Sequence, residues 1–176
     1  DRIARRRLKA AGTSIVTFRV CEIVIADGHI LDVVVWVNMP DPESAEVKKV
    51  KGWKRRAFRP FCTVLMDVHS REILACLITM APFCGATVLK ALALACVSDG
   101  HMPRGIPEAL IIDNGSDYIS DALKRAMFRL TGSQDWAEPY DPDDKAHLER
   151  FFGTLSNFIR GLPGATFASP NERGDY

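Results

Sequence analysis

A mixed α/β domain, a sheet of several strands flanked by helices, is the fold the sequence predicts. Three observations predict it. Runs rich in Val and Ile, of strand length, fill residues 15–38 and 61–80. Apolar stretches of helix length follow at 84–100 and 141–164, and the short apolar segment "EALIID" stands between helical segments. Antiparallel strands first, then helices alternating with a strand, give a mixed sheet covered on its faces. With 176 residues, 47% of them hydrophobic, the chain can bury one core of ordinary domain size.

The elements follow in order. "DRIARRRLKAAG" opens a basic lead-in over residues 1–14, readable as a solvated tail or as an arm that contacts DNA. The core is expected over 15–164, with 165–176 a tail or the start of a following domain. "IVTFRVCEIVIADGHILDVVVWVN" is read as a hairpin whose two strands are broken by "DGH". Residues 39–60, polar, basic and bounded by proline, mark an excursion from the core. "FCTVLMD" and "EILACLITM" make a second hairpin around "VHSR". "CGATVLKALALACVSDG" is a buried helix ending at Gly100, and Ser120 caps a helix from Asp121 to about Leu130. "SQDWAEPY" offers at most one short strand. The last helix starts at Asp141 and Pro142, carries Leu148, Phe151, Phe152, Leu155, Phe158, Ile159 and Leu162 on its apolar face, and stops at "GLPG".

Charge is unevenly spread although the formal net charge is only +1. Residues 1–60 hold 13 Lys/Arg against 7 Asp/Glu, and residues 61–176 hold 10 against 15. A basic third suits an anionic partner such as nucleic acid, which the acidic remainder repels unless cations lie between them. The five cysteines lie in apolar runs without C-x-x-C pairing and read as reduced core thiols, which fits a cytoplasmic protein. No secretory signal is read at the start, and the apolar run 75–97 is interrupted by Pro82, Gly85 and Lys90, so no membrane span is expected.

Two aspartates end apolar strands before glycine-containing turns: Asp27 in "EIVIAD" and Asp113 in "LIID". If those strands are parallel neighbours, both carboxylates emerge at one sheet edge, where open sheets place their sites. Glu149 sits on the last helix just beside its apolar stripe, where it can reach over that edge. Taken singly, a strand-end Asp is most often a turn-former and a helix Glu most often solvated. Asp67 in "VLMDVHS" is a rival for the first position. In the hairpin reading its strand runs antiparallel to that of Asp27, so Asp67 caps the "VHSR" turn at the opposite edge. Asp32 lies within the next strand and is a poor candidate.

Together the blocks "IADGH", "LIIDNGSDYIS" and "AHLERFFGTL" resemble the catalytic core of retroviral integrases and DDE transposases, most closely the phage Mu type. The likeness runs from about residue 20 to 164, and 35 residues separate Asp113 from Glu149, the family's spacing. It implies an RNase H-like fold, a mixed five-stranded sheet flanked by helices, and DNA hydrolysis followed by strand transfer. Asp27, Asp113 and Glu149 take the places of the catalytic triad and of the ligands to two Mg²⁺ or Mn²⁺ ions. Clustered carboxylates repel, and hard divalent cations with oxygen shells relieve them. On this reading Asp27 bridges both ions, while Asp113 and Glu149 hold one each. The partners implied are double-stranded DNA, at transposon ends and target, and further copies of the full-length protein in a multimeric complex. A bacterial or phage-infected cell is the implied setting.

This sequence departs from the shorter integrase pattern in its interval of 86 residues from Asp27 to Asp113, and in lacking the amino-terminal His/Cys zinc module. Both weigh towards a transposase, and the chain is expected to be part of a longer protein. Asn114 is expected to turn the chain after Asp113 or to touch DNA. Lys145 is expected to meet the DNA backbone or solvent, and His147 to be structural or exposed. Lys54, Arg55 and Arg56, in a basic cluster around Trp53, suit phosphate binding or a solvated loop. Two other readings stay open: a Mg²⁺-dependent nuclease on the same fold, and a DNA-binding module without activity.

Overall fold

The computed structural model describes residues 16–40, 53–97, 105–112, 120–131 and 142–166. The basic lead-in, most of the tail and the strand expected in "SQDWAEPY" lie outside these residues. Six strands and three helices are described in chain order: β1 (Ile23–Ile30), β2 (Val35–Pro40), β3 (Trp53–Phe58), β4 (Phe61–Asp67), β5 (Ile73–Thr79), α1 (Gly85–Cys96), β6 (Ala109–Ile112), α2 (Asp121–Thr131) and α3 (Pro142–Ile159).

A mixed sheet of four strands runs β5-β4-β1-β6. β4 pairs antiparallel with both β5 and β1, whereas β1 and β6 are parallel. The remaining strands, β2 and β3, form an antiparallel ribbon of their own, so the main sheet has four strands among the described residues rather than five. The excursion expected at 39–60 is that ribbon together with the segment between its strands.

Alternation along the strands sorts the core into two layers. Ile23, Ile25, Cys62, Val64, Met66, Ala109 and Ile111 face one side and pack against Leu148, Phe152 and Ile159 of α3. Val24, Ala26, Leu65 and Leu110 face the other and meet α1 through Val88, Ala91, Leu92 and Ala95, and α2 through Leu123 and Met127. Each fully buried side chain of this kind stabilises by about 1.5–3 kcal/mol, which makes these layers the main force holding helices to sheet. Phe158 and Leu162, expected on the apolar face of α3, are exposed. At 3.6 residues per turn Phe158 sits about 80° round the helix from Leu148, off the stripe that meets the sheet.

Local signals explain the helix starts. The Cys84 amide donates to Thr87 Oγ1 at 3.0 Å ahead of α1. Ser120 Oγ accepts from the Leu123 amide at 3.3 Å ahead of α2, the cap expected there. Val97 is already extended, so α1 stops short of the Gly100 anticipated from the sequence. None of the described helices is long and apolar enough to cross a membrane.

The hairpin expected across "DGH" does not form. β1 runs straight through those residues, with Asp27 opposite Val64, Gly28 opposite Thr63 and His29 opposite Cys62. Gly28 answers a packing need rather than a turn: a Cβ there would stand 2.4 Å from Phe83 Cβ. Gly28→Ala is therefore expected to cost about 1–3 kcal/mol by overpacking. Chemical denaturation should show that cost shrinking when Phe83 is also truncated, because residues in contact are not additive.

After α3 the chain returns to the link between β1 and β2. Val34 N donates to Gly164 O at 2.7 Å, and Thr166 N to Asp32 O at 2.8 Å. Gly164 has φ +87°, and a Cβ would lie 2.5 Å from Val34 O, so this tie requires glycine.

Candidate active site

The parallel register of β1 with β6 ends at the pair Ala26–Ile112. Asp27 is the next residue of β1, and Asp113 is the next residue of the chain after β6. By strand alternation Asp27 shares a face with Ile23 and Ile25, the face that α3 covers. Its side chain is half-buried, and Oδ1 accepts from the Gly28 amide at 2.8 Å. Asp113 and Asn114 lie outside the described residues.

α3, which packs on that face through Leu148, Phe152 and Ile159, carries Glu149. Leu148 is fully buried and Phe152 nearly so, while Glu149 between them is exposed, as its place beside the stripe predicts. The helix is fixed here by His29, whose ring stacks on Phe152 with centroids 4.8 Å apart and planes 20° apart. Phe151 meets Phe152 edge-on at 5.7 Å. His29 follows Asp27 by two residues and Phe152 follows Glu149 by three, so the two carboxylates belong to the two elements this stack joins. Lys145 is in α3 one turn before Glu149, with its side chain outside the described residues. His147 is half-buried.

The sequence singled out no role for His29. The available signal was its period of two from Asp27, which puts both on one face once the strand is known to continue. Among the described residues its buried Nε2 has no hydrogen-bond partner, and its shown contact is the stack on Phe152. His29→Phe is expected to keep the stack, remove an orphaned polar atom and stabilise by about 1 kcal/mol. Loss of the ring in His29→Ala is expected to lower the thermal midpoint by several degrees. Thermal unfolding of the two variants checks both expectations.

Asp67 stands where the hairpin reading put it. At the far end of β4, opposite Val24, it is fully buried and accepts three hydrogen bonds. Oδ1 takes the Cys21 amide at 2.8 Å, and Oδ2 takes the Ser70 amide at 2.7 Å and Ser70 Oγ at 2.6 Å. Its oxygens are taken up by the turn and by the Cys21 amide ahead of β1, away from the Ala26–Ile112 end of the β1–β6 pair. Asp32 forms an ion pair with Arg59, whose Nε also donates to Leu31 O at 3.3 Å. One cation of the basic cluster therefore ties the ribbon's end to the core.

On the ribbon, Lys54 lies opposite Met39, Arg55 opposite Asn38 and Arg56 opposite Val37. Arg56 is exposed, and Trp36 presents 60% of its surface. The side chains of Lys54 and Arg55 lie outside the described residues.

Asp27 and Glu149 offer carboxylate oxygens only, the donor type that suits Mg²⁺ or Mn²⁺ rather than zinc. Among the described residues no group of three His, Cys, Asp or Glu could hold a metal ion; the expected third ligand, Asp113, is outside that set. The donor chemistry therefore fits a hard divalent cation.

A family model described as the TnsB C-terminal domain matches residues 43–164. The transposase for transposon Tn552 of Staphylococcus aureus is 32% identical over 110 residues, which is 60% of this chain and 23% of that protein. The chain thus spans under a quarter of that curated relative. Among solved structures, a chain of the simian T-cell lymphotropic virus intasome, determined by cryo-EM with PP2A regulatory subunit B56 gamma, gives a TM-score of 0.53. Identity there is 16%, over 88% of this chain and 48% of that one. The HTLV-2 integrase catalytic core domain, in its dimeric form with magnesium, gives 0.45 at 13% identity, over 82% and 78%. The mixed sheet and its helices are the RNase H-like fold of integrase catalytic cores.

Proposed function

The chain belongs to the TnsB C-terminal domain family, within the DDE transposases and integrases, and from that membership we propose that it is the catalytic core of a Mu-like DNA transposase. In this reading it cleaves DNA strands and joins the freed 3′-hydroxyl to target DNA. The observation that carries it is the parallel β1–β6 register ending at Ala26–Ile112. That register makes Ala26 and Ile112 neighbours, each followed in the chain by an aspartate, on a sheet whose face is covered by the helix that bears Glu149, which supports the reading.

Asp27, Asp113 and Glu149 would hold two Mg²⁺ or Mn²⁺ ions. Such ions neutralise charge at a phosphodiester and supply a reactive oxygen at neutral pH. The chain's own part would be to place the ligands: Asp27 is carried by β1, Asp113 follows β6 in the chain, and the His29–Phe152 stack holds the helix that carries Glu149. Because these groups repel when bare, the geometry must be enforced by packing, which the buried Leu148 and Phe152 provide. Arg56, Lys54 and Arg55 on the ribbon, with Lys145 and Asn114, would meet the DNA backbone. Cleavage and joining can share one site because both are in-line displacements at phosphorus by an oxygen; only the attacking molecule changes. The working partners are transposon-end and target DNA in a multimer of the full-length protein, in the cytoplasm.

The test is a strand-transfer assay using pre-nicked transposon ends with a free 3′-hydroxyl and Mn²⁺. Joined products are expected. Hydrolysis without joining would assign a nuclease instead, and DNA binding without either would assign an inactive binding module.

A further inference from the structure

Cys62 and Cys76 lie on β4 and β5, next to each other in the sheet. Cys62 is opposite Ile78 and Cys76 is opposite Val64, so the two cysteines are diagonal neighbours on one face, and their sulfurs are 3.3 Å apart. A disulfide needs about 2.05 Å between sulfurs and Cα atoms within about 7 Å, so closing it from diagonal positions takes rotation of both side chains and a small shift of β5, the strand at the sheet's edge. Their settings differ. Cys62 is buried against the α3 layer, whereas Cys76 is exposed because β5 is the edge strand. The buried sulfur is shielded from reagents, and the exposed one is open to them.

We propose that Cys62 and Cys76 form a dithiol modification site that takes small-molecule disulfides: Cys76 is the attacking sulfur and Cys62 the resolving one. The product is a reversible covalent link between β4 and β5. In the first step the Cys76 thiolate attacks one sulfur of the reagent, forms a mixed disulfide and releases one reagent thiolate. In the second, Cys62 gives its proton to that thiolate and attacks the Cys76 sulfur, expelling the second reagent thiolate. Two protein thiols are oxidised by two electrons, and one reagent disulfide is reduced to two thiols. Nothing else is consumed.

Two further facts support the division of labour. The hydrogen bond between the two sulfurs holds the Cys76 thiol down to about 7, while the same bond and burial push Cys62 up. At neutral pH the exposed sulfur is thus substantially the reactive thiolate. Burial raises Cys21 and Cys96 above the ordinary thiol value. Cys84 is lowered, chiefly by the Thr87 backbone amide; the thiol pair formed by Cys62 and Cys76 has no counterpart there among the contacts described. Cys62 is also the cross-strand partner of His29, so the sulfur that must rotate neighbours the ring that seats α3.

The experiment uses the folded chain with oxidised glutathione and follows intact mass and disulfide-linked peptides. Wild type is expected to lose two hydrogen masses and yield a Cys62–Cys76 peptide. Its rate should rise with pH through about 7 and exceed that of Cys21 or Cys96 by about ten-fold at pH 7. Cys62→Ala, confirmed folded by circular dichroism, should stop at a glutathione adduct on Cys76. Cys76→Ser should leave Cys62 unmodified. The proposal is overturned if wild type gives stable glutathione adducts without the Cys62–Cys76 peptide, or if Cys76 in folded Cys62→Ala reacts no faster than Cys21 and Cys96.

Discussion

Asp113→Asn is expected to reduce Mn²⁺-dependent DNA cleavage by at least roughly 10²- to 10³-fold, the scale of losing one preorganised electrostatic contact to a transition state. The fold should remain as stable or become slightly more so. Both halves follow from the same physics: the amide keeps the shape but removes a charge, which weakens a cation's grip and relaxes repulsion among the carboxylates. Asp27→Asn should behave alike. Cleavage rates with Mn²⁺, set beside urea midpoints, separate the effects. Retained cleavage by Asp113→Asn would remove that residue from the mechanism, and an unfolded variant would show that its role is structural.

Asp67→Ala should give the opposite pattern. It deletes a fully buried carboxylate that accepts from two backbone amides and a hydroxyl, leaving those donors without a partner. Hydrogen bonds to a carboxylate contribute about 1.5–3 kcal/mol each, so losing three, with water recovering part, costs about 3–5 kcal/mol. For a chain of this size that lowers the thermal midpoint by about 6–20 °C. Cleavage measured well below the midpoint should fall only with the folded fraction. If Asp67→Ala is stable yet inactive while Asp27→Asn is active, the first carboxylate has been assigned to the wrong strand.

How much of this was legible in the sequence depended on the range of the forces involved. Ser120 announced its helix because a cap is a local event, and the "VHSR" hairpin with its buried Asp67 followed from strand length and turn composition. The 86-residue step from Asp27 to Asp113 was bridged only by supposing parallel neighbours, which the β1–β6 register bears out. "DGH" misled because glycine in an apolar run signals either a turn or a close approach. The deciding contact, Phe83, lies far along the chain. His29 was passed over for the same reason, since its partner is on the last helix. β3 reads as part of a polar excursion because Trp53–Phe58 carries three cations in six residues, whereas most of β2 falls in a segment that reads as strand. Phe158 looked like core because a broad apolar stripe does not say where the neighbouring sheet stops.

The tie between Gly164–Thr166 and Asp32–Val34 bears on the order of assembly. It closes a loop of well over a hundred residues, and although loop entropy grows only logarithmically with length, such a contact cannot form before its two ends are placed. The β4–β5 hairpin needs no such wait. On this basis Glu149 is expected to be the last of the three proposed carboxylates to be positioned, so that a partly folded chain lacks the complete proposed site. Pulse-labelled exchange in which the Val34 amide is protected ahead of the β4–β5 amides would contradict that sequence of events.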